Sequence, residues 1–408
     1  MTTLNTPVGS VGGAFGGAFG GAFGGAYGGA YGGAYGGAYG GAYGGAYGGA
    51  YGAAMSNSPL LADGLNKARE ALALPNISNH LYANSDWSRA KSDEAKSSRL
   101  ARSDRTSLLY MASQDLFNHL HFKVIDENCC EIRLMGYDNQ SKFSDTSGIK
   151  LIRPKQAQFV SELSYVADLA ELREDRGAEI LTQIGGLLPY LAMVVPLSIE
   201  RTPATLMLLD VAANFATSIY TRFKLELGCL RPIEMSPHIQ SIVPSPGHFA
   251  YPMGHATQSF MLVHILESLM SKTDYSAAVT ASKPLRDLAF RVSFNRIVAG
   301  VHFPIDQIAG MQLGTWLGRL FWESTQAAPS WREDALIFDP AGAPNLTNAE
   351  KNIDKFFKSG AQNGNLKFSE QSGALALIKD KALEEWQWLK MPITKTASIK
   401  NSKSEKRK

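Results

Sequence analysis

The sequence predicts an all-α protein, a helical bundle carrying a disordered Gly-rich N-terminal tail. Three observations predict it. Between Pro154 and Phe321 apolar residues recur at helical spacing, as Phe159, Leu163, Val166 and Leu169 do. Thr202-Pro203 pairs a capping residue with a proline suited to the first helical position. Beyond residue 154 no segment alternates convincingly as a half-buried strand would.

The elements follow in order. Residues 1–54 hold ten Gly-Gly-Ala-Phe/Tyr tetrads from Gly12 to Tyr51. Glycine at half the positions makes ordering costly in entropy, so this stretch is expected to be a solvated tail. Residues 55–153 are polar, with helix signals over Gly64–Leu74 and Asp104–Leu120, then an extended or looped stretch over 125–154. Residues 154–325 are the expected helical catalytic domain. Its helices are expected after Pro154, within Leu181–Leu197, from Pro203 to Lys224, and over His255–Met270, Leu285–Val298 and Pro304–Phe321. Residues 326–394 form an appendage with helix signals at 348–357 and 374–389, and 395–408 is a basic, unfolded end.

Composition excludes several classes. The chain has 408 residues, 45% apolar and 19% charged, with a formal net charge of +3. Such a balance argues against nucleic acid as a partner. Three cysteines cannot make a disulfide scaffold. The N-terminus lacks the basic and apolar regions of a secretory signal, which points to a cytoplasmic location. Ile180–Ile199 is apolar enough to suggest a membrane span, but Thr182, Gln183, Pro189 and Pro196 make a buried helix pair the better expectation.

Three segments carry chemistry: Lys224-x6-Arg231-Pro232, Tyr251-Pro-Met-Gly-His-Ala-Thr257, and Arg296-x5-His302-x3-Asp306. They supply three cations, two histidines and a carboxylate. Arginine's planar fork suits several oxygens of one tetrahedral anion. Gly254 lets the backbone approach, and His255 opens a helix whose N-terminus favours negative charge. Asp306 lies one helical turn after His302, where it can accept from one ring nitrogen and leave the other with its lone pair. His302 is then a nucleophile or ligand, and His255 moves protons.

In order and in spacing these segments resemble the signatures of the type 2 phosphatidic acid phosphatase/vanadium haloperoxidase superfamily, over roughly residues 154–325. The resemblance implies a helical bundle with an oxyanion pocket. Lys224, Arg231 and Arg296 would hold equatorial oxygens of phosphate or vanadate, and the Gly254 amide would donate. His302 would bond the phosphorus or vanadium, Asp306 would orient it, and His255 would be the acid/base. One departure stands out: Met253 occupies the family's serine position, and a thioether is a poor substitute for a hydroxyl donor. A second is Asn295, where a serine often precedes the arginine.

The leading expectation is a vanadate-dependent haloperoxidase oxidising halide with peroxide. It rests on the soluble look of the chain, the section before Lys224, and the run Ala299–Gly310, which is similar to bacterial haloperoxidases. The alternative is an acid phosphatase working through a phosphohistidine on a phosphate ester, with no cofactor. A third reading is a degenerate pocket with tail-mediated association, and a homo-oligomer is compatible with any of them. Pro244-Ser-Pro-Gly-His248 is set aside as a decoy because no long apolar helix follows it. His119, His121 and His264 read as structural, Cys129, Cys130 and Cys229 as inert thiols, and Arg173–Arg176 as an ion-pair patch.

Overall fold

A computed structural model describes residues 100–138, 140–272, 278–326, 328–358, 366–368 and 372–388. The expectations for the tetrad tail, for Gly64–Leu74 and for the basic end lie outside the described residues. Residues 91–408 form one unit.

The described residues are not all-α. Helix α1 (Arg105–Phe117) is followed by three antiparallel strands, β1 (Leu120–Asp126), β2 (Cys129–Tyr137) and β3 (Phe143–Ile152). Short strands β4 (Ser330–Trp331), β5 (Leu336–Phe338) and β6 (Leu366–Lys367) extend them to a six-stranded mixed sheet. One expectation holds here and one is corrected. The stretch 125–154, expected to be extended or looped, holds the end of β1, β2 and β3 with loops between them, and β1 meets β2 at a two-residue turn, Glu127-Asn128, where the Asn128 amide donates to the Asp126 carboxylate at 2.8 Å. Strands also exist beyond residue 154, but with two or three residues each they are too short for any alternation to register. β5 forms on the edge of β3, β6 beside β2, and β4 on β6, which is a tertiary cause.

Helices follow the sheet: α2 (Gln156–Asp168), a 3-10 turn, α3 (Arg173–Thr182), α4 (Leu188–Leu191), α5 (Pro203–Leu227) and α6 (Pro232–Met235). Then come α7 (Gly254–Lys272), α8 (Ala278–Val298), α9 (Pro304–Ser324), α10 (Leu346–Lys351), α11 (Ile353–Phe356) and α12 (Ala374–Trp388). Ile180–Ile199, expected to be a buried helix pair, holds the end of α3, the short helix α4 and turns, with Ile184 and Met193 exposed. Among the described residues no helix is long and apolar enough to cross a membrane.

The core is organised by α7 and α9, which run parallel. Gly310, Gly314 and Gly318 form a stripe on α9. A Cβ there would stand 2.5 Å from the Met253 carbonyl oxygen, 2.4 Å from that of Thr257 and 2.7 Å from the His264 Cβ. Glycine is therefore required for this approach. The parallel register brings the N-termini of both helices to one end of the bundle, sealed where the Met253 amide donates to the Asp306 carbonyl at 2.9 Å. The C-terminal segment is built into the same unit: Glu385 accepts from the amides of Ala204 and Thr205 at the start of α5, and the Trp386 indole donates to the Thr205 hydroxyl at 3.0 Å.

Candidate active site

Two helix N-termini and two helix C-termini meet at the sealed end of the bundle. The first turns of α7 and α9 point N–H groups and positive dipole ends there. The last turn of α5 carries Lys224 and the last turn of α8 carries Arg296, where cations are favoured. The chain thus brings separated residues together by how its helices end.

A cavity of about 540 Å³ opens at this end, lined among others by Gly254, His255, Arg296 and His302. Arg231 stands against it: its Nη1 lies 3.3 Å from His302 Nε2 and donates to the Val301 carbonyl at 2.7 Å, while its Nε donates to the His248 carbonyl at 2.9 Å. Lys224 is fully buried, and its Nζ donates to the carbonyls of Phe249 at 2.8 Å and Ala250 at 2.5 Å. Arg296 donates to the Ile180 carbonyl at 2.7 Å and to Gln183 Oε1 at 3.0 Å, and its buried Nε has no hydrogen-bond partner. Among the described residues none of these three cations forms an ion pair. Their side-chain donors meet neutral carbonyl or amide oxygens and, for Arg231, histidine ring nitrogens, so the positive charge of the cluster is left for an anion.

His302 and Asp306 form the expected pair. Asp306 Oδ2 accepts from His302 Nδ1 at 3.0 Å and from the Phe303 amide at 2.9 Å. With the Nδ1 proton given to Asp306, Nε2 keeps its lone pair and faces Arg231. Burial pushes Asp306 up to about 7, against the pull of the Phe303 amide, Lys224 and Arg231. Burial holds His302 well below the usual histidine range, and Arg231 and Lys224 add to this. His255 is pushed down to about 3 by burial and then by Arg296, and Arg296 falls to about 10 through burial. Lys224 is likewise lowered by burial and by Arg231. Each histidine is thus neutral until negative charge arrives.

Other expected residues are placed differently. The Met253 side chain is fully buried in the hydrophobic core and does not line the cavity. At Gly254 a Cβ would stand 2.9 Å from the Tyr220 ring, so any larger residue would have to displace that ring. Pro244, Pro246 and His248 of the decoy segment line the cavity, and His248 Nδ1 lies 3.0 Å from Arg231 Nη2. The segment lends a wall and a carbonyl, not the helix-opening histidine.

Four contributors were not anticipated. Gln183 is buried between the functional groups. Its side-chain oxygen accepts from Arg296 at 3.0 Å and Asn295 at 3.2 Å, and its carbonyl lies 3.3 Å from His255 Nε2. A lone glutamine in the apolar run from Ile180 was the available signal. Arg173 donates to the carbonyls of Val298, Gln240 and Ile239 at 2.8, 2.8 and 2.9 Å, pinning the loop before His248 to the turn before His302. Arg176 donates to Asn295 at 3.1 Å and lies over the Phe294 ring. This pair was expected to be an ion-pair patch, but it clamps the site instead. Glu162 accepts from the Ile305 amide at 3.3 Å at the start of α9, and burial raises it to about 8. The sheet also buttresses the site, since the Tyr251 hydroxyl donates to the Ile152 carbonyl at the end of β3 at 2.9 Å.

The histidines and thiols read as structural include His119, which stacks on Phe368, while burial raises Cys130 to about 11 and Cys229 to about 12. Among the described residues no cluster of His, Cys, Asp and Glu could hold a metal ion.

Residues 204–329 form a domain of the PAP2 superfamily. The chain is similar to an undecaprenyl-diphosphatase of Sulfolobus acidocaldarius, 29% identical over 118 residues, which is 28% of this chain and 52% of that protein. The match therefore spans about half the length of that curated relative. Among solved structures it is similar to a transmembrane PAP2-type phosphatidylglycerolphosphate phosphatase from Bacillus subtilis. That likeness has 17% identity and a TM-score of 0.32, covering 41% of this chain and 85% of the other.

Proposed function

We propose that this chain is a phosphohydrolase that splits phosphate esters through a phosphohistidine at His302. The observation that carries the reading is the pair of contacts at that ring: Nδ1 at 3.0 Å from Asp306 and Nε2 at 3.3 Å from the Arg231 guanidinium. A nucleophile with its proton tied to a carboxylate and its lone pair facing an unpaired cation is poised for an electrophilic, anionic centre. The name of the curated relative, a diphosphatase, supports phosphoryl transfer over the haloperoxidase expectation.

The residues divide the work. Arg231, Arg296 and Lys224 offset the charge on the phosphoryl oxygens, and the Gly254 amide at the start of α7 donates to them. His302 Nε2 attacks phosphorus, forming the P–N bond as the P–O bond to the leaving group breaks. Asp306 holds the imidazolium that develops. His255, protonated once the anion offsets Arg296, gives its proton to the leaving oxygen. In the second half a water attacks phosphorus, His255 takes its proton, the P–N bond breaks and phosphate leaves.

The same donors fit vanadate, a tetrahedral oxyanion: the Arg296 Nε is buried without a partner, and the His302 lone pair is directed at the cation cluster. Bound vanadate would supply a Lewis-acidic centre that activates peroxide for halide oxidation, with Arg231, Arg296 and Lys224 holding its oxygens. The two readings separate in one assay. Chain prepared without vanadate should hydrolyse 4-nitrophenyl phosphate, and vanadate should inhibit it. Bromination with peroxide in vanadate-loaded chain, without phosphatase activity in the unloaded chain, would reverse the assignment.

A further inference from the structure

The cavity is longer than a phosphate needs. Beyond His255, Arg296 and His302 it reaches Leu209, Asp210 and Leu262. Helices α5 and α7 wall this extension and set its length. Tyr220 packs on Gly254 at the phosphate end, and the Gln258 amide donates to Thr217 at 2.9 Å midway. Gly254 to Leu262 is eight residues and Tyr220 to Asp210 is ten. At the helical rise per residue these steps correspond to roughly 12–15 Å.

The slot is apolar along its walls and polar at its far end. Leu209 and Leu262 are buried, and Leu187 closes one side. At the end, Asp210 Oδ2 accepts from Arg105 Nη2 at 2.5 Å, while Oδ1 has no hydrogen-bond partner among the described residues. A carboxylate oxygen with spare acceptor capacity at the end of an apolar slot reads a donor, and reads a cationic donor best.

We propose that this slot selects phosphate monoesters whose alkyl leaving group ends in an ammonium roughly 12–15 Å from phosphorus, with Asp210 as the specificity-determining residue. The proposal rests on the phosphohydrolase reading for turnover but not for binding. Arg105 tempers the preference because it offsets part of the charge on Asp210.

An extended chain advances about 1.2 Å per bond, so 8-aminooctyl phosphate places its ammonium at Asp210, and nonyl phosphate is the apolar match. The full chain should turn over the amino ester with about tenfold higher kcat/KM, the scale of one charge-assisted hydrogen bond. 4-Aminobutyl phosphate, too short to reach, should gain nothing over pentyl phosphate. Asp210→Asn should bring the long pair to near equality. Arg105→Gln, which removes the competing cation, should widen the preference and guards against misfolding of the Asp210 variant. Calorimetry with 8-aminooctylphosphonate and nonylphosphonate reads the slot without catalysis. Equal affinity and equal turnover of the long pair, or a preference that survives Asp210→Asn, would overturn the slot. Discrimination between the phosphonates with no hydrolysis of any ester, 4-nitrophenyl phosphate included, would keep the slot and overturn the phosphohydrolase reading instead.

Discussion

The two ends of the α7–α9 pair use the same residue types to opposite effect. At the N-terminal end stand His255, His302, Arg231 and Arg296, and toward the other end stand His264, Arg319 and Arg286. Both ends are buried, and burial pushes His264 as well as His255 down to about 3. The difference lies in the carboxylates. Arg319 pairs with Glu333 at 3.0 Å, and Arg286 pairs with both oxygens of Glu267 at 2.7 and 2.8 Å. At the N-terminal end the arginines reach only carbonyls, an amide oxygen and histidine rings. Buried histidines and arginines therefore do not by themselves mark an anion site. Cations left without carboxylates do, because only an external anion can offset them.

Four experiments would break or sharpen this contrast. The largest effect is expected for His302→Ala, which removes the nucleophile: 4-nitrophenyl phosphate turnover should drop by at least about 10³-fold with the circular dichroism spectrum unchanged. Activity near that of the parent would dissolve the site. Next, Arg231→Lys should lower kcat/KM about 10²-fold, since a point charge cannot replace the fork. Arg319→Lys at the balanced end should change it less than about twofold, and equal losses would erase the distinction between the ends.

Gly314→Ala tests the parallel register that creates the contrast. Its Cβ would meet the Thr257 carbonyl oxygen at 2.4 Å. A destabilisation of about 1–3 kcal/mol in urea unfolding is expected, and no change would mean the helices can separate freely. The smallest effect is the pH dependence of sulfate affinity, sulfate being a dianion throughout the range. His255 lies at about 3 and Asp306 at about 7. A bound dianion raises both, so the complex holds more protons than the free chain. Binding should take up protons at pH 6 and weaken severalfold toward pH 8. Calorimetry in two buffers of different ionisation enthalpy reads the proton directly; proton release would contradict the cation surplus.

Legibility differed along the chain for physical reasons. The helices around the site were readable because each buries a face at its own period and several carry proline at the start, as α5 and α9 do with Pro203 and Pro304. Lys224, Arg231, Arg296, His255 and His302 were readable because their spacings within three short segments are tied to helix ends. Met253 was placed by its motif position, yet its side chain went to the core, because the parallel packing of α7 on α9 turns that residue inward. Gln183, Arg173 and Glu162 were not readable as site residues, since each acts on a backbone or side chain more than a hundred positions away, or on a carbonyl about 70 away.

What the sequence determined by itself is local: helix starts and stops, and the residue types and intervals that make three cations, two histidines and a carboxylate available. What only the tertiary structure decided is how the charges balance. The Gly310–Gly314–Gly318 stripe sets α7 and α9 side by side, the sheet of β1–β6 backs the loop at Tyr251, and in the packed chain the site's close carboxylate, Asp306, is bonded to His302 and not to an arginine. Spacing along a chain fixes which groups can meet within a helical turn. Which charges are left uncompensated depends on contacts between distant segments, and those are settled only when the helices pack.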